Sequence, residues 1–176
     1  MEREHGAGYN RDLFAVWSDL DGDGCDTRDE VLMQESLSAV QTDGCAVIAG
    51  DWYSIYDGAT TAVPSEFDID HVVALKEAWD SGAWNWLPDR RIAYANDLTD
   101  PRTLAAVSAV SNQSKGDADP SNWLPPSGDR CEYLANWVAI KARWSLSMDE
   151  SEFGRIRNML QGECLGTEVT PWPPAP

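Results

Sequence analysis

Basic residues are scarce in this chain: 13 Lys and Arg stand against 30 Asp and Glu, a net charge of −17 over 176 residues. A surface of that sign repels polyanions at long range, which argues against capture of nucleic acid by bulk attraction. Histidine is scarcer still. His5 lies in a polar N-terminal stretch, so His71 is the imidazole expected in folded structure. No apolar run approaches the ~20 residues that span a bilayer as a helix, which excludes a helical membrane protein. Met1-Glu2-Arg3-Glu4-His5-Gly6 opens without the apolar core of a signal peptide, so the chain reads as cytosolic or as a mature form with a new start. No CxxC pair or Cys/His cluster offers a zinc site, and no internal repeat is present.

What is present is ordinary for a globular chain: 43% hydrophobic and 24% charged residues, in a length sufficient for one domain with a real core. The expected organisation is a disordered tail over residues 1–8, a single domain over 9–165 and a Pro-rich tail over 166–176. The cysteines number 4 and allow three pairings. Cys25–Cys45 with Cys131–Cys164 is favoured, because each pair brackets a compact segment; four reduced thiols in a cytosolic protein are the alternative. Paired cysteines favour the mature, exported form.

Hydrophobic periodicity predicts short helices over Tyr9–Ser18 and Glu30–Leu37. An accessory β-hairpin is expected across Cys45–Tyr56, with Asp57-Gly58 as a turn signal. Further helices are expected over Lys76–Gly82, Pro88–Asn96 and Arg130–Ser145, then from Ser147 toward Cys164. Between the first two helices lies Asp19-Leu20-Asp21-Gly22-Asp23-Gly24-Cys25-Asp26-Thr27-Arg28-Asp29-Glu30, which fits an EF-hand-type calcium loop. Asp19, Asp21 and Asp23 would give carboxylate oxygens and Cys25 its backbone carbonyl. Thr27 stands at the ninth position, and Glu30 would bind through both oxygens. The position usually apolar in such loops is Asp26, and no sister loop exists, so a plain Asp/Gly-rich turn is the alternative.

The chemistry concentrates in Phe67-Asp68-Ile69-Asp70-His71-Val72-Val73-Ala74-Leu75 and in Ser111-Asn112-Gln113-Ser114-Lys115-Gly116-Asp117. The first is a β-like apolar run carrying an acceptor beside a base. On an extended strand Asp70 and His71 point to opposite faces, and a bend after His71 would bring both to one cleft. Asn112 can give an amide oxygen to a metal, and Lys115 can hold a phosphate as a point charge. A lone His at a strand end is more often structural than catalytic; the second stretch tips the balance. Thr103–Ala109 reads as a second strand. Arg90 and Arg91 lie near these stretches in sequence and are candidates for phosphate contacts or for surface ion pairs.

Asp70-His71-Val72-Val73-x-Leu75, Ala95-Asn96-Asp97-Leu98, Leu104–Ser108, Asn112–Asp117 and Trp123-Leu124-Pro125-Pro126 occur in that order. Together they resemble the secreted bacterial branch of the HNH endonuclease superfamily, whose domain is also found at the C-terminus of the GmrSD restriction enzymes. The resemblance covers roughly Tyr9 to Cys164. It implies an α+β fold: a ββα-metal (HNH, His-Me finger) core over about residues 67–120, surrounded by helices. His71 would then be the general base, and Asp70 and Asn112 the ligands of one divalent cation, Mg²⁺ with Mn²⁺ as the alternative. Many members carry Asn just before the second strand; here Thr103 stands there, so either its hydroxyl or Asn96 would orient the His loop. The implied protein is a secreted, monomeric, metal-dependent endonuclease acting on DNA, or on RNA, with little sequence specificity and no membrane partner. Its acidity predicts salt tolerance. The alternative from another class is a non-catalytic secreted calcium-binding or adhesion domain on the same scaffold. A carbohydrate-binding module would account for the nine Trp, but not for the ordered motifs.

Overall fold

Asn10 precedes the first 3₁₀ turn among the described residues. Its side chain accepts from Asp12 N and caps that turn, Arg11–Phe14. The computed structural model describes residues 6–126 and 129–175, so most of the expected N-terminal tail (residues 1–5) lies outside the described residues. The helix expected over Tyr9–Ser18 is reduced to that one turn. Ala15 and Trp17 adopt left-handed backbone (φ 42° and 59°), which no regular helix accommodates. Tertiary bonds replace the helical ones: Asn96 accepts from Ser18 N and donates to Ala15 O.

Helix α1 (Thr27–Glu35) starts where the Asp26 carboxylate accepts from Asp29 N, and it buries Val31 and Leu32. Strand β1 (Gln41–Asp43) pairs with β2 (Ala46–Ala49), and β3 (Trp52–Tyr53) pairs with β4 (Thr60–Thr61), both antiparallel. The single hairpin expected across Cys45–Tyr56 is therefore two. Gly44 (φ 62°) turns the chain before β2, and Gly58 (φ 75°) turns it after β3, so β2 pairs backward and β3 forward.

Strand β5 (Phe67–His71) pairs antiparallel with β6 (Leu104–Ser108), in a register that sets Asp70 opposite Ala105 and His71 opposite Leu104. Between them the chain makes α2 (Leu75–Asp80) and α3 (Pro88–Ala95). Helix α4 (Ala109–Lys115) follows β6 without a loop. It begins upstream of the expected Asn112, because the Ser108 hydroxyl caps it by accepting from Ser111 N. Helices α5 (Arg130–Trp144) and α6 (Glu150–Gln161) complete a mixed α+β fold of small antiparallel sheets and six helices among the described residues.

Strand alternation decides which side chains meet which core. Phe67, Ile69, Leu104 and Ala106 pack with Val31, Leu32 and Trp52 on one side. Ala105 and Val107 join a larger core with Tyr56, Tyr94, Trp137 and Trp144 on the other, so Asp68 and Asp70 share this second face. Behind it, the buried Lys141 ammonium ties three helices by binding Glu77 Oε1 at 2.5 Å, Glu152 Oε2 at 2.7 Å and Ser81 Oγ at 2.9 Å. Disulfides join Cys25 to Cys45 and Cys131 to Cys164, the pairing favoured from the sequence. The described residues of the Pro-rich end, 166–175, form no helix or strand but lie against the fold: Thr170 O accepts from Arg102 and Ala175 N donates to Arg143 O. No described helix is long and apolar enough to cross a membrane.

Candidate functional site

The antiparallel β5–β6 pair ends where α4 begins, and a cleft of about 250 Å³ opens there. Asp70 and His71 reach it from the end of β5 and Asn112 from α4, with Arg11 and Asp117 also on its wall. A larger hollow of about 410 Å³, bordered by Leu20, Glu30 and Trp144, has a mostly apolar wall and no imidazole. The reactive groups are in the smaller one.

Asp70 is only 6% exposed. Its Oδ2 accepts from Tyr56 Oη at 2.6 Å, and Lys115 Nζ lies 2.8 Å from Oδ2 and 3.0 Å from Oδ1. Burial raises the carboxyl above its ordinary pKa; the Lys115 charge and the Tyr56 hydroxyl pull the other way. The Lys115 ammonium also donates to His71 O at 2.9 Å. Lys115 is thus a buried counter-charge that locks Asp70 to the end of β5, and its ammonium is spent inside the fold rather than presented to a phosphate.

His71 Nε2 lies 2.9 Å from Ala95 O. A carbonyl only accepts, so Nε2 carries the hydrogen and the lone pair of the neutral ring sits on Nδ1. The ring lies between Trp17 and Tyr94, with centroids 5.6 and 6.2 Å away and interplanar angles of 24° and 30°. Burial pushes its pKa down to about 3; the Ala95 bond opposes this, while the charges of Arg11 and Lys115 add to it. The imidazole is neutral at any ordinary working pH. Asn112 Nδ2 donates to Asp68 Oδ2 at 2.9 Å, which makes Oδ1 the atom suited to a cation.

The other predicted residues lie elsewhere. Arg90 stacks over Trp86 and Trp144 at 4.9 and 5.6 Å and donates to Trp144 O. Arg91 is buried, donates to Trp86 O and Ala83 O, and covers Trp79. Aromatic faces recruit both guanidinium groups into packing away from the cleft. Thr103 holds the turn after His71 through its backbone, with its carbonyl accepting from Val72 N at 3.0 Å; its hydroxyl binds Asp97 at 3.1 Å. Asn96 Oδ1 accepts from Ser18 N and Thr27 Oγ1, both at 2.9 Å, and so braces the loop that carries Trp17.

In the Asp-rich loop, carboxylate oxygens of Asp19, Asp21 and Asp23 lie within 4.8 Å of one another. Asp19 accepts from Gly22 N and Gly24 N, and Asp23 from Cys25 N. Glu30 faces this group: burial, then the charges of Asp21, Asp23 and Asp19, raise its pKa. Thr27 directs its hydroxyl to Ser18 O and Asn96 instead.

Sequence reasoning missed Arg11, Trp17, Tyr56, Asp68 and Ala95 at the site. Alternation along β5 would have put Asp68 on the Asp70 face. The others come from segments whose approach leaves no local pattern.

A carboxylate and an amide beside a neutral, oriented imidazole offer oxygen donors and a proton acceptor at one cleft. The chain belongs to the family described as GmrSD restriction endonucleases, C-terminal domain, whose model matches residues 26–156. It is also 43% identical over 155 residues to an uncharacterized secreted protein of Arthroderma benhamiae, covering 87% of this chain and 74% of that one. That relative is fungal, where the resemblance pointed to a bacterial branch. No solved structure matches the chain significantly.

Proposed function

We propose that this protein is a secreted, metal-dependent endonuclease that hydrolyses phosphodiester bonds of DNA, with RNA as a second substrate and little sequence preference. The observation that carries the reading is the meeting of Asp70, neutral His71 and Asn112 at one cleft where β5, β6 and α4 join. That arrangement supports a ββα-metal core. The donor set suits Mg²⁺, with Mn²⁺ as the alternative: a carboxylate and an amide oxygen are hard ligands, and Mg²⁺ takes few of them because it keeps several waters. Once bound there, such a cation stabilises the charge that builds on the phosphate and on the leaving 3′ oxygen.

Asp70 and Asn112 would hold the ion, with Lys115 and Tyr56 fixing the Asp70 rotamer and Asp68 fixing the Asn112 amide. His71 accepts a proton from water at Nδ1. The Ala95 carbonyl keeps the opposite nitrogen protonated and steadies the imidazolium that results. Trp17 and Tyr94 hold the ring plane. By analogy with the family, the products carry 5′ phosphates.

The Asp19, Asp21, Asp23 and Glu30 group favours a structural calcium site alongside the catalytic one. The same group is what favours the other reading, a non-catalytic calcium-binding or adhesion domain. Disulfides and a secreted relative support export. A plasmid-nicking assay with Mg²⁺, with and without EDTA, is the test. Cleavage should need the cation, and His71→Ala should lose a factor of about 10²–10⁴ in rate while still folding, as a cooperative melt would report. Wild-type turnover in His71→Ala would remove the base from the mechanism. No cleavage with Mg²⁺ or Mn²⁺, together with stabilisation by Ca²⁺, would favour the non-catalytic domain.

A further inference from the structure

A nuclease cleft in a chain of net charge −17 needs a cation at the point where the phosphodiester docks. Lys115, Arg90 and Arg91 are occupied inside the fold. Arg11 is differently placed. It is exposed, opens the 3₁₀ turn Arg11–Phe14, and borders the same cleft as Asp70, His71 and Asn112. Its charge is felt at His71. Among the described residues, none of the ion pairs involves it.

The mounting is rigid. Phe14, at the other end of the turn, is fully buried and packs edge-on against Trp79 and Tyr94. Asn10 caps the turn, and the Arg11 guanidinium lies close enough to the Tyr9 hydroxyl to lower its pKa, against the burial and acids that raise it. A guanidinium has five N–H donors in a planar fork, so the Tyr9 hydroxyl beside it leaves an edge for the oxygens of a phosphate. Of the acids around this end of the cleft, Asp80 is paired with Lys76. Asp70 is matched by Lys115, and Asp117 is exposed on the cleft wall and close enough to raise the Tyr9 pKa.

We propose that Arg11 is the phosphate-binding residue of the cleft, its guanidinium gripping the non-bridging oxygens of the phosphodiester that Asp70, His71 and Asn112 face, with Asp117 opposing it. The inference rests on the nuclease reading and extends it beyond residues 26–156, because Arg11 lies before the segment that the family model matches.

The test uses the full chain and its variants Arg11→Ala, Arg11→Gln, Arg11→Lys and Asp117→Asn. Arg155→Ala, an exposed cation on α6, serves as the charge control. Two measurements are made: binding of a fluorescent oligonucleotide in EDTA, over a range of NaCl, and cleavage of the same oligonucleotide with Mg²⁺. Charge-assisted bonds of this kind give an expected loss of about ten- to a hundredfold in affinity for Arg11→Ala. A similar rise in KM is expected, and a log–log salt slope that differs from wild type by about one phosphate contact. Arg11→Lys should recover part of the affinity, Asp117→Asn should bind more tightly than wild type, and Arg155→Ala should match wild type. Arg11→Gln keeps an N–H donor beside Tyr9, so it reports the loss of charge even if the alanine variant unfolds. A wild type that cuts, while Arg11→Ala and Arg11→Gln bind and respond to salt as Arg155→Ala does, overturns this inference alone. A wild type that neither binds nor cuts overturns the nuclease reading and this inference with it.

Discussion

Lys115→Met isolates what the buried ammonium does. The substitution keeps a long apolar stem and deletes Nζ, which lies 2.8 Å from Asp70 Oδ2 and 2.9 Å from His71 O. Of the bonds described for the Asp70 carboxylate, only that from Tyr56 Oη would remain, on a residue 6% exposed. Removing one partner of a buried pair costs about 3–5 kcal/mol, because the other charge is stranded. For a domain of this size each kcal/mol moves Tm by about 2–4 °C, so the expected drop is about 6–20 °C. The pH dependence has a definite sign. The Asp70 carboxyl already sits above its ordinary pKa when folded, and losing the ammonium raises it further. A carboxyl raised in this way binds its proton more tightly folded than unfolded. It weakens the fold above the raised value, and that weakness fades as pH falls into the ordinary carboxylate range. The deficit of Lys115→Met should therefore be largest at neutral pH and shrink on acidification. Asp70→Asn on the same background should recover most of the loss, and Mg²⁺ should raise Tm more in Lys115→Met than in wild type, since it restores a positive charge beside Asp70. Calorimetric melts across pH, with and without Mg²⁺, provide the measurement. If Lys115→Met melts with wild type at neutral pH and loses only nucleic-acid affinity, the ammonium is a phosphate ligand and this reasoning is wrong.

Calcium should raise the melting temperature in wild type but not in a variant lacking Asp19, Asp21 and Glu30; at a hundredfold excess over Kd the gain is about 2.7 kcal/mol. Titration calorimetry with no calcium heat and no shift in Tm would leave a plain turn. The net charge of −17 predicts a cleavage optimum at raised NaCl, on the order of several tenths molar, because added salt shortens the Debye length from about 30 Å at 0.01 M to about 3 Å at 1 M. A steady decline in initial rate from the lowest salt, at fixed Mg²⁺, would rule out that salt adaptation.

The elements that carry the site were legible because each depends on a local signal. The β-like apolar run within Phe67–Leu75 marked β5, and Thr103–Ala109 marked β6. The long amphipathic helix Arg130–Trp144 was equally plain. What failed depended on tertiary partners. Tyr9–Ser18 has helical periodicity, but Asn96 takes its backbone bonds and Trp17 turns onto His71, so only one turn forms. The spacing of Asn112 and Lys115 put both on one side of α4, yet nothing in it revealed that Lys115 would be buried against Asp70. Arg90 and Arg91 sit close to the motif in sequence and were drawn off by tryptophans whose positions only the fold defines. The two-hairpin arrangement turned on which glycine reversed the chain, and the pattern of apolar residues did not distinguish Gly44 from Gly58.

The excursion between β5 and β6 has a kinetic consequence. The strand bearing His71 cannot pair until α2 and α3 have been made and β6 has followed, and Ala95 reaches His71 only when α3 docks. Arg11, Trp17 and Tyr56 must come in from upstream, and Asn112 and Lys115 from downstream. Such long-range assembly is slow compared with local helix formation, because the chain must close large loops before any contact rewards it. A polypeptide still emerging from the ribosome, or held extended for transport, contains every motif residue made so far and none of the geometry. In the endonuclease reading proposed above, lateness of assembly is a safeguard: the nucleic acids nearest to its synthesis would meet the chain only as an inert thread.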